Sequence, residues 1–301
     1  AASGYPNGVS DVPVTFTAPT GYQIVFAPAA TQVGGTDYCL RITGSNVEYT
    51  YSLVKADIRW YESAGKEKNY VLKSADELMG FCLLANGSID GESKNFDGWT
   101  LSLGNSIDLE NSEWKPIPSF AGEFNGMSHE IKGLNVNYTD DDSNSKTAGM
   151  FEKLDSTGKI LSLAVSGSVK ADGKINNVGG IVGTTAAGSE IRFCRSIDVK
   201  VDAANSTTNG MAYGGVAGKV QGAISNCLKE GTITVDNIKN KCYIGGVAGY
   251  VGSAANLCWN TGSVNASGTT KKNIYTGGIT ELQQTAITTG VSLVQPIRIN
   301  M

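Results

Sequence analysis

Few residues in this chain are able to do chemistry. A single histidine, His129, occurs in 301 residues. That excludes HExxH-type and other multi-imidazole zinc sites, which take two or three rings. A Ser-His-Asp or Cys-His arrangement would have to use His129 alone. It stands between Phe124 and Ile131 with no nucleophile motif beside it, and reads as a turn residue. Cysteines stand at 39, 82, 194, 227, 242 and 258 without one CxxC pair, so zinc-ribbon and thioredoxin-type spacings are absent. No GxGxxG opens a helix after a strand and no GxxxxGK[ST] occurs, which leaves nucleotide chemistry without a phosphate cradle. Asp140, Asp142 and Asn144 supply D-x-D-x-N oxygens, the one calcium candidate. An EF-type loop asks for glycine at its sixth position and glutamate at its twelfth, where Ser145 and Phe151 stand. The segment therefore reads as a solvated acidic loop. No catalytic residue, metal or cofactor is expected.

With chemistry thinned out, the architecture carries the signal. Charged residues make up 17% and the net charge is −4, with no basic patch, so no nucleic-acid partner is expected. No apolar run approaches the ~18 residues of a membrane span. Glycine, at 38 positions, is nearly twice its usual ~7% share, and it is ordered. Gly179-Gly180-Ile181-Val182-Gly183 recurs as Gly214-Gly215-Val216-Ala217-Gly218 and Gly245-Gly246-Val247-Ala248-Gly249, with a truncated Gly277-Gly278-Ile279 and a degenerate Ala148-Gly149-Met150-Phe151. The unit is about 32 residues long. Cys194, Cys227 and Cys258 follow the second glycine of their pairs by 14, 12 and 12 positions, with Ile191, Ile224 and Ala255 three positions before them. The earliest copy has Ile160 and Leu163 in those two places, as a buried apolar slot allows. Short runs rich in Val, Ile and Thr fill each unit. The spacing predicts an all-β, β-helix-like solenoid of about five coils, with the three cysteines stacked in one interior column and glycines at tight turns or coil contacts.

Further residues resemble a known family. Trp99-Thr100-Leu101-Ser102-Leu103, Ile107-Asp108-Leu109 and Trp114-Lys115-Pro116-Ile117 look like the entry segment of GLUG-repeat bacterial surface proteins. Phe120-Ala121-Gly122-Glu123-Phe124-Asn125-Gly126, followed by His129, Ile131 and Gly133-Leu134, resembles that family's F-x-G-x-F-[DN]-G-x-x-H-x-I-x-G-L signature. The resemblance covers roughly residues 74–280. It implies an exported, adhesin-like surface protein, in a family that also includes non-catalytic segments of immunoglobulin A peptidases. It carries no catalytic residues.

The elements around the repeat follow. Ser74 with Glu77 forms a capping box, and Leu78, Phe81, Cys82 and Ala85 trace one helical stripe, so 74–86 is predicted as a helix closing the core. Residues 1–73 hold alternating runs at 12–17, 22–26, 37–42, 47–51 and 57–61, expected as a small β-sandwich. Gly65-Lys66-Glu67-Lys68 is expected as a linker, and about 281–301 as a C-terminal cap. The opening Ala1-Ala2-Ser3-Gly4-Tyr5-Pro6-Asn7-Gly8 reads as a tether left after processing or trimming, compatible with a lipid anchor upstream. Aromatics mark the ligand candidates. If Cys258 points inward, Trp259 points outward over Leu228 and Arg195; Tyr213, Tyr243 and Tyr275 precede the glycine pairs as a second edge. The expected function is a non-enzymatic extracellular adhesion or ligand-binding module for a glycan or protein. The alternatives are a polysaccharide lyase or hydrolase on a β-helix, for which Asp172, Asp202 and Asp236 recur singly, and a plain spacer.

Overall fold

A unit of short extended runs cannot bury its apolar side alone; here each is coiled onto the one before it. The computed structural model describes residues 22–26, 36–41, 48–89, 91–140, 147–173, 175–197, 199–204, 210–268, 274–279, 292–293 and 298–300. Most of them form a parallel β-solenoid. Its first sheet stacks Asn69–Leu72, Thr100–Leu103, Glu123–Asn125, Lys159–Leu161, Glu190–Arg192, Ala223–Ser225 and Ala254–Asn256 in that order, every neighbour parallel. Seven successive strands make about six turns, one more than the glycine markers indicate. The extra length comes from entry turns that lack the motif. A second sheet runs from Ile107–Asp108 through the long strands Glu130–Asp140 and Ala164–Gly173 to Ser292–Leu293 and Arg298–Asn300. A third holds the glycine segments, from Thr147–Ala148 and Phe151–Leu154 to Cys242–Val251 and Ile274–Ile279.

Register confirms the stacking. Phe124, Ile160, Ile191, Ile224 and Ala255 are successive Cα partners and all are fully buried. Val136, Val169, Val201, Ile233 and Val264 form a second interior column. A third falls from Phe151 through Val182 to Ala217 and Ala248. The first and third columns lose volume toward the C-terminal end, so the core tapers, and its wide end needs a plug. Helix α1 (Arg59–Ala64) and helix α2 (Ala75–Ala85) provide it. Phe81 of α2 lies 4.9 to 6.3 Å, centroid to centroid, from Phe96, Phe120, Phe124 and Phe151. The Ser74 hydroxyl accepts from the Glu77 amide, as a cap should. Glu77 itself reaches the Lys73 amide and the Tyr70 hydroxyl rather than the cap residue. Burial extends beyond the expected stripe to Met79, Leu83 and Leu84, because α2 is covered on both sides.

The motif glycines are required by close approach, and among the described residues none of them sits at positive φ. A Cβ on Gly214 would stand 2.0 Å from the Ala217 carbonyl oxygen and 2.8 Å from the Ala248 Cα of the next coil. One on Gly246 would fall 2.2 Å from Asn260 Cγ across the core. The expectation that these glycines mark tight turns gives way to this second role.

Outside the repeat, several expectations change. Residues 57–61 are not a strand: Arg59–Ala64 is helical, and Trp60 is buried against Tyr70 and Phe96. Tyr22–Phe26, Thr36–Arg41 and Glu48–Lys55 make a single three-stranded antiparallel sheet rather than two facing sheets among the described residues; the run 12–17 lies outside them. Gly65–Glu67 is a 3-10 turn leading directly into the first solenoid strand at Asn69. Toward the C-terminus, Ser292 pairs with Trp259 and Arg298 with Asn265. The described parts of the predicted cap thus take the places of another coil.

Candidate functional site

Between the first and second sheets each coil turns through a short corner, and the same kind of residue geometry recurs there. Ser162, Phe193, Asn226 and Leu257 all adopt the left-handed region, with φ of 49°, 56°, 54° and 49°. Their amides climb the stack: Ser162 donates to the Arg192 carbonyl, Phe193 to Ser225 and Asn226 to Asn256. One turn earlier, Met127 and Ser128 fill the same corner, also at positive φ. The residue after each corner position points inward, giving the column Leu163, Cys194, Cys227 and Cys258, all buried. The next points outward: Arg195, Leu228 and Trp259 are in direct register. The one beyond turns inward again as Ser196, Lys229 and Asn260, a buried polar column. Asn260 satisfies itself on the Gly262 backbone, and the Lys229 ammonium donates to the Glu230 carbonyl. Sequence alone gave no sign of that column. Period-2 alternation could have marked it, yet a buried lysine looks like a surface one in a string of letters.

The corner gathers exposed apolar side chains. Met127, Phe193, Leu257 and Trp259 are 56, 53, 41 and 39% exposed. Of the large hydrophobics exposed among the described residues, only Val71 lies elsewhere. Successive coils stand ~4.8 Å apart, so the strip from Met127 to Leu257 is about 19 Å long. Charges line it. The Arg192 guanidinium sits 5.6 Å over the Phe193 ring and pairs with Glu190 at 3.2 Å. Arg195 bridges to Glu230 of the next coil, also at 3.2 Å. A bulky residue in the left-handed region costs roughly 1–2 kcal/mol, and an exposed one recovers little of this by burial. The conjunction of strain and exposed apolar surface is the mark of a contact surface.

The outward ladder of Arg195, Leu228 and Trp259 is where the sequence placed it; Phe193, Leu257 and Met127 had been missed. The second aromatic edge does not hold together. Tyr213 and Tyr243 are both buried, at 2 and 7% exposure, so neither offers a face to a ligand; Tyr213 lies one position nearer its glycine pair and pairs in register with Ile244 rather than with Tyr243. Tyr243 and Tyr275 do stack, at 5.1 Å, with the Lys241 ammonium over both. Among the aspartates, Asp172 and Asp236 share a column with Ala204 between them, whereas Asp202 aligns with Lys170. They form no common row. His129 closes its turn through its amide to Gly126, and the residue is half-buried. Asp142 and Asn144 lie outside the described residues, as does the Asp140 side chain. No cluster of metal-ligating side chains is present among the described residues.

Comparison with known proteins adds little. No family model matches the chain, and no curated protein does. A crystal structure of a Bacteroides ovatus protein provisionally described as an immunoglobulin A1 protease is similar at 17% identity, over 78% of this chain and 83% of that one, with a TM-score of 0.43. No helix among the described residues is long and apolar enough to cross a membrane.

Proposed function

We propose that this chain is a non-enzymatic adhesion or ligand-binding module of a bacterial surface protein, displayed outside the cell, and that it holds its partner along the corner strip. The observation that carries the reading is the concentration of Met127, Phe193, Leu257 and Trp259 on one edge, with Phe193 and Leu257 in strained backbone. A rigid stack fixes the side-chain spacing in advance, so little ordering entropy is lost on binding. Central aromatic and Arg side chains are the usual anchors of such surfaces, and here Trp259, Phe193 and Arg195 stand within three coils. The GLUG resemblance supports the surface location. The test is a glycan array and a panel of immobilised extracellular-matrix proteins, probed with the labelled chain and with a Phe193→Ser, Trp259→Ala double variant. Binding that the double variant loses by tenfold or more supports the reading. Binding that it retains in full would remove the strip from consideration.

A further inference from the structure

Directly beneath the strip lie three thiols. Cys194 follows Phe193, Cys227 follows Asn226 and Cys258 follows Leu257, and all three are at most 1% exposed. Backbone bonds tie their coils at these residues: Leu228 donates to the Cys194 carbonyl and Trp259 to that of Cys227. Neighbouring coils are ~4.8 Å apart, inside the Cα range of about 4.4–6.8 Å that a disulfide spans. The Cys227 thiol has a sulfur neighbour on each side, Cys194 below and Cys258 above. Cys194 and Cys258 are two coils apart, near 10 Å, beyond that range. Cys82 and Cys242 lie away from this column: Cys82 contacts the Lys115 carbonyl, and Cys242 pairs in register with Met211 and Ile274.

From this geometry we infer that the column is a cross-coil cross-linking site in which Cys227 is the shared partner. An oxidised molecule carries one disulfide in the column, Cys194–Cys227 or Cys227–Cys258, and leaves the third column cysteine as a thiol. The oxidant is a small-molecule disulfide of the glutathione type. A column thiolate attacks one of its sulfurs, forming a mixed disulfide and expelling one thiol. A neighbouring column sulfur then attacks the protein sulfur of that mixed disulfide, forming the internal S–S bond and expelling the second thiol. The two protons lost by the cysteines are taken up, through solvent, by the two expelled thiolates, so the two electrons reduce the donor to two thiols with no net proton release. The remaining thiol, two coils from its counterpart but next to Cys227, can displace it and move the bond by one coil without net oxidation. All three thiols are closed off from solvent in the folded chain, and a disulfide donor must reach a thiolate to react, so the bond forms during folding, before the coils close. Either bond ties the Cys227 coil to one neighbour, the coil of Phe193 or that of Leu257 and Trp259, whatever those residues bind.

The experiment is refolding of the reduced full chain from urea in a glutathione redox buffer, then alkylation under denaturing conditions, intact mass and peptide mapping with fragment sequencing. The expected result is a linkage that contains Cys227 joined to Cys194 or Cys258, with alkylated Cys82 and Cys242. The oxidised protein should also unfold at higher urea than the reduced one. Cys194→Ala should leave only the Cys227–Cys258 bond, and Cys227→Ser should leave Cys194 and Cys258 both alkylated. Full alkylation of all three column thiols in the wild type overturns the inference, as does a Cys194–Cys258 linkage. Both readouts are independent of ligand binding, so failure here leaves the surface proposal standing.

Discussion

At the scale of single residues, the corner positions Phe193 and Leu257 set stability against recognition. Asn226 occupies the equivalent place with the same φ, and asparagine tolerates the left-handed region with less penalty than a bulky side chain. Phe193→Asn should therefore raise stability by about 1 kcal/mol in urea unfolding while weakening any strip-dependent binding. A loss of stability would mean that the ring packs more than its 53% exposure indicates. The buried thiols give a pH dependence. Burial pushes Cys82 from 9.0 up to about 12, and Cys242 likewise. Between those values the unfolded chain releases protons that the folded chain keeps. Stability from these groups is thus complete below pH 9 and is lost as pH rises toward about 12, with a limiting slope of ~1.4 kcal/mol per pH unit for each group. Unfolding midpoints measured from pH 8 to 11 should fall, and Cys82→Ala should flatten the decline.

At the scale of elements, the glycine-marked strands and α2 do different jobs. The glycines let adjacent coils touch backbone to backbone, and their substitution acts through overpacking. Gly214→Ala forces a Cβ to within 2.0 Å of the Ala217 carbonyl oxygen of its own coil and 2.8 Å of the Ala248 Cα of the next, which should cost about 3 kcal/mol. Gly252→Ala meets only the flexible ends of Gln221 and Tyr250 at 3.3 Å or more and should change stability by less than roughly 0.5 kcal/mol. Equal effects at the two positions would remove coil contact as the reason for the motif. Helix α2 answers a different demand. A tapering core open at its wide end exposes Phe120, Phe124 and Phe151, and Phe81 covers all three.

For the whole molecule, stability is a chain of nearest-neighbour contacts between coils. Cys194 is followed by Arg195, and Leu228 takes the same place one coil on. Excising residues 195–227 joins Cys194 to Leu228 in unbroken register. The shortened protein should fold with the same β-type circular dichroism and a lower unfolding midpoint. An unfolded or aggregated product would show that the stack depends on contacts beyond neighbours.

The repeat, its length, the interior cysteine column, helix α2 and the outward ladder of Arg195, Leu228 and Trp259 were all legible in the sequence, because each follows from a local period copied coil after coil. Other features were not. Tyr213 and Tyr243 are both buried although they stand at different distances from their glycine pairs, and the ring of the next coil that covers Tyr243 is not written in the local pattern. The helix at Arg59–Ala64 is placed by the aromatic contacts of Trp60, which overrode an alternating pattern. Phe193 and Leu257 are apolar letters in the sequence; the corner turns them outward because their backbone stands at positive φ, with the Phe193 amide donating to the Ser225 carbonyl of the next coil. Sequence periodicity determines which residues recur and share a column. Which way a column faces at a corner is decided by how successive coils bond to one another, and that exists only once they are stacked.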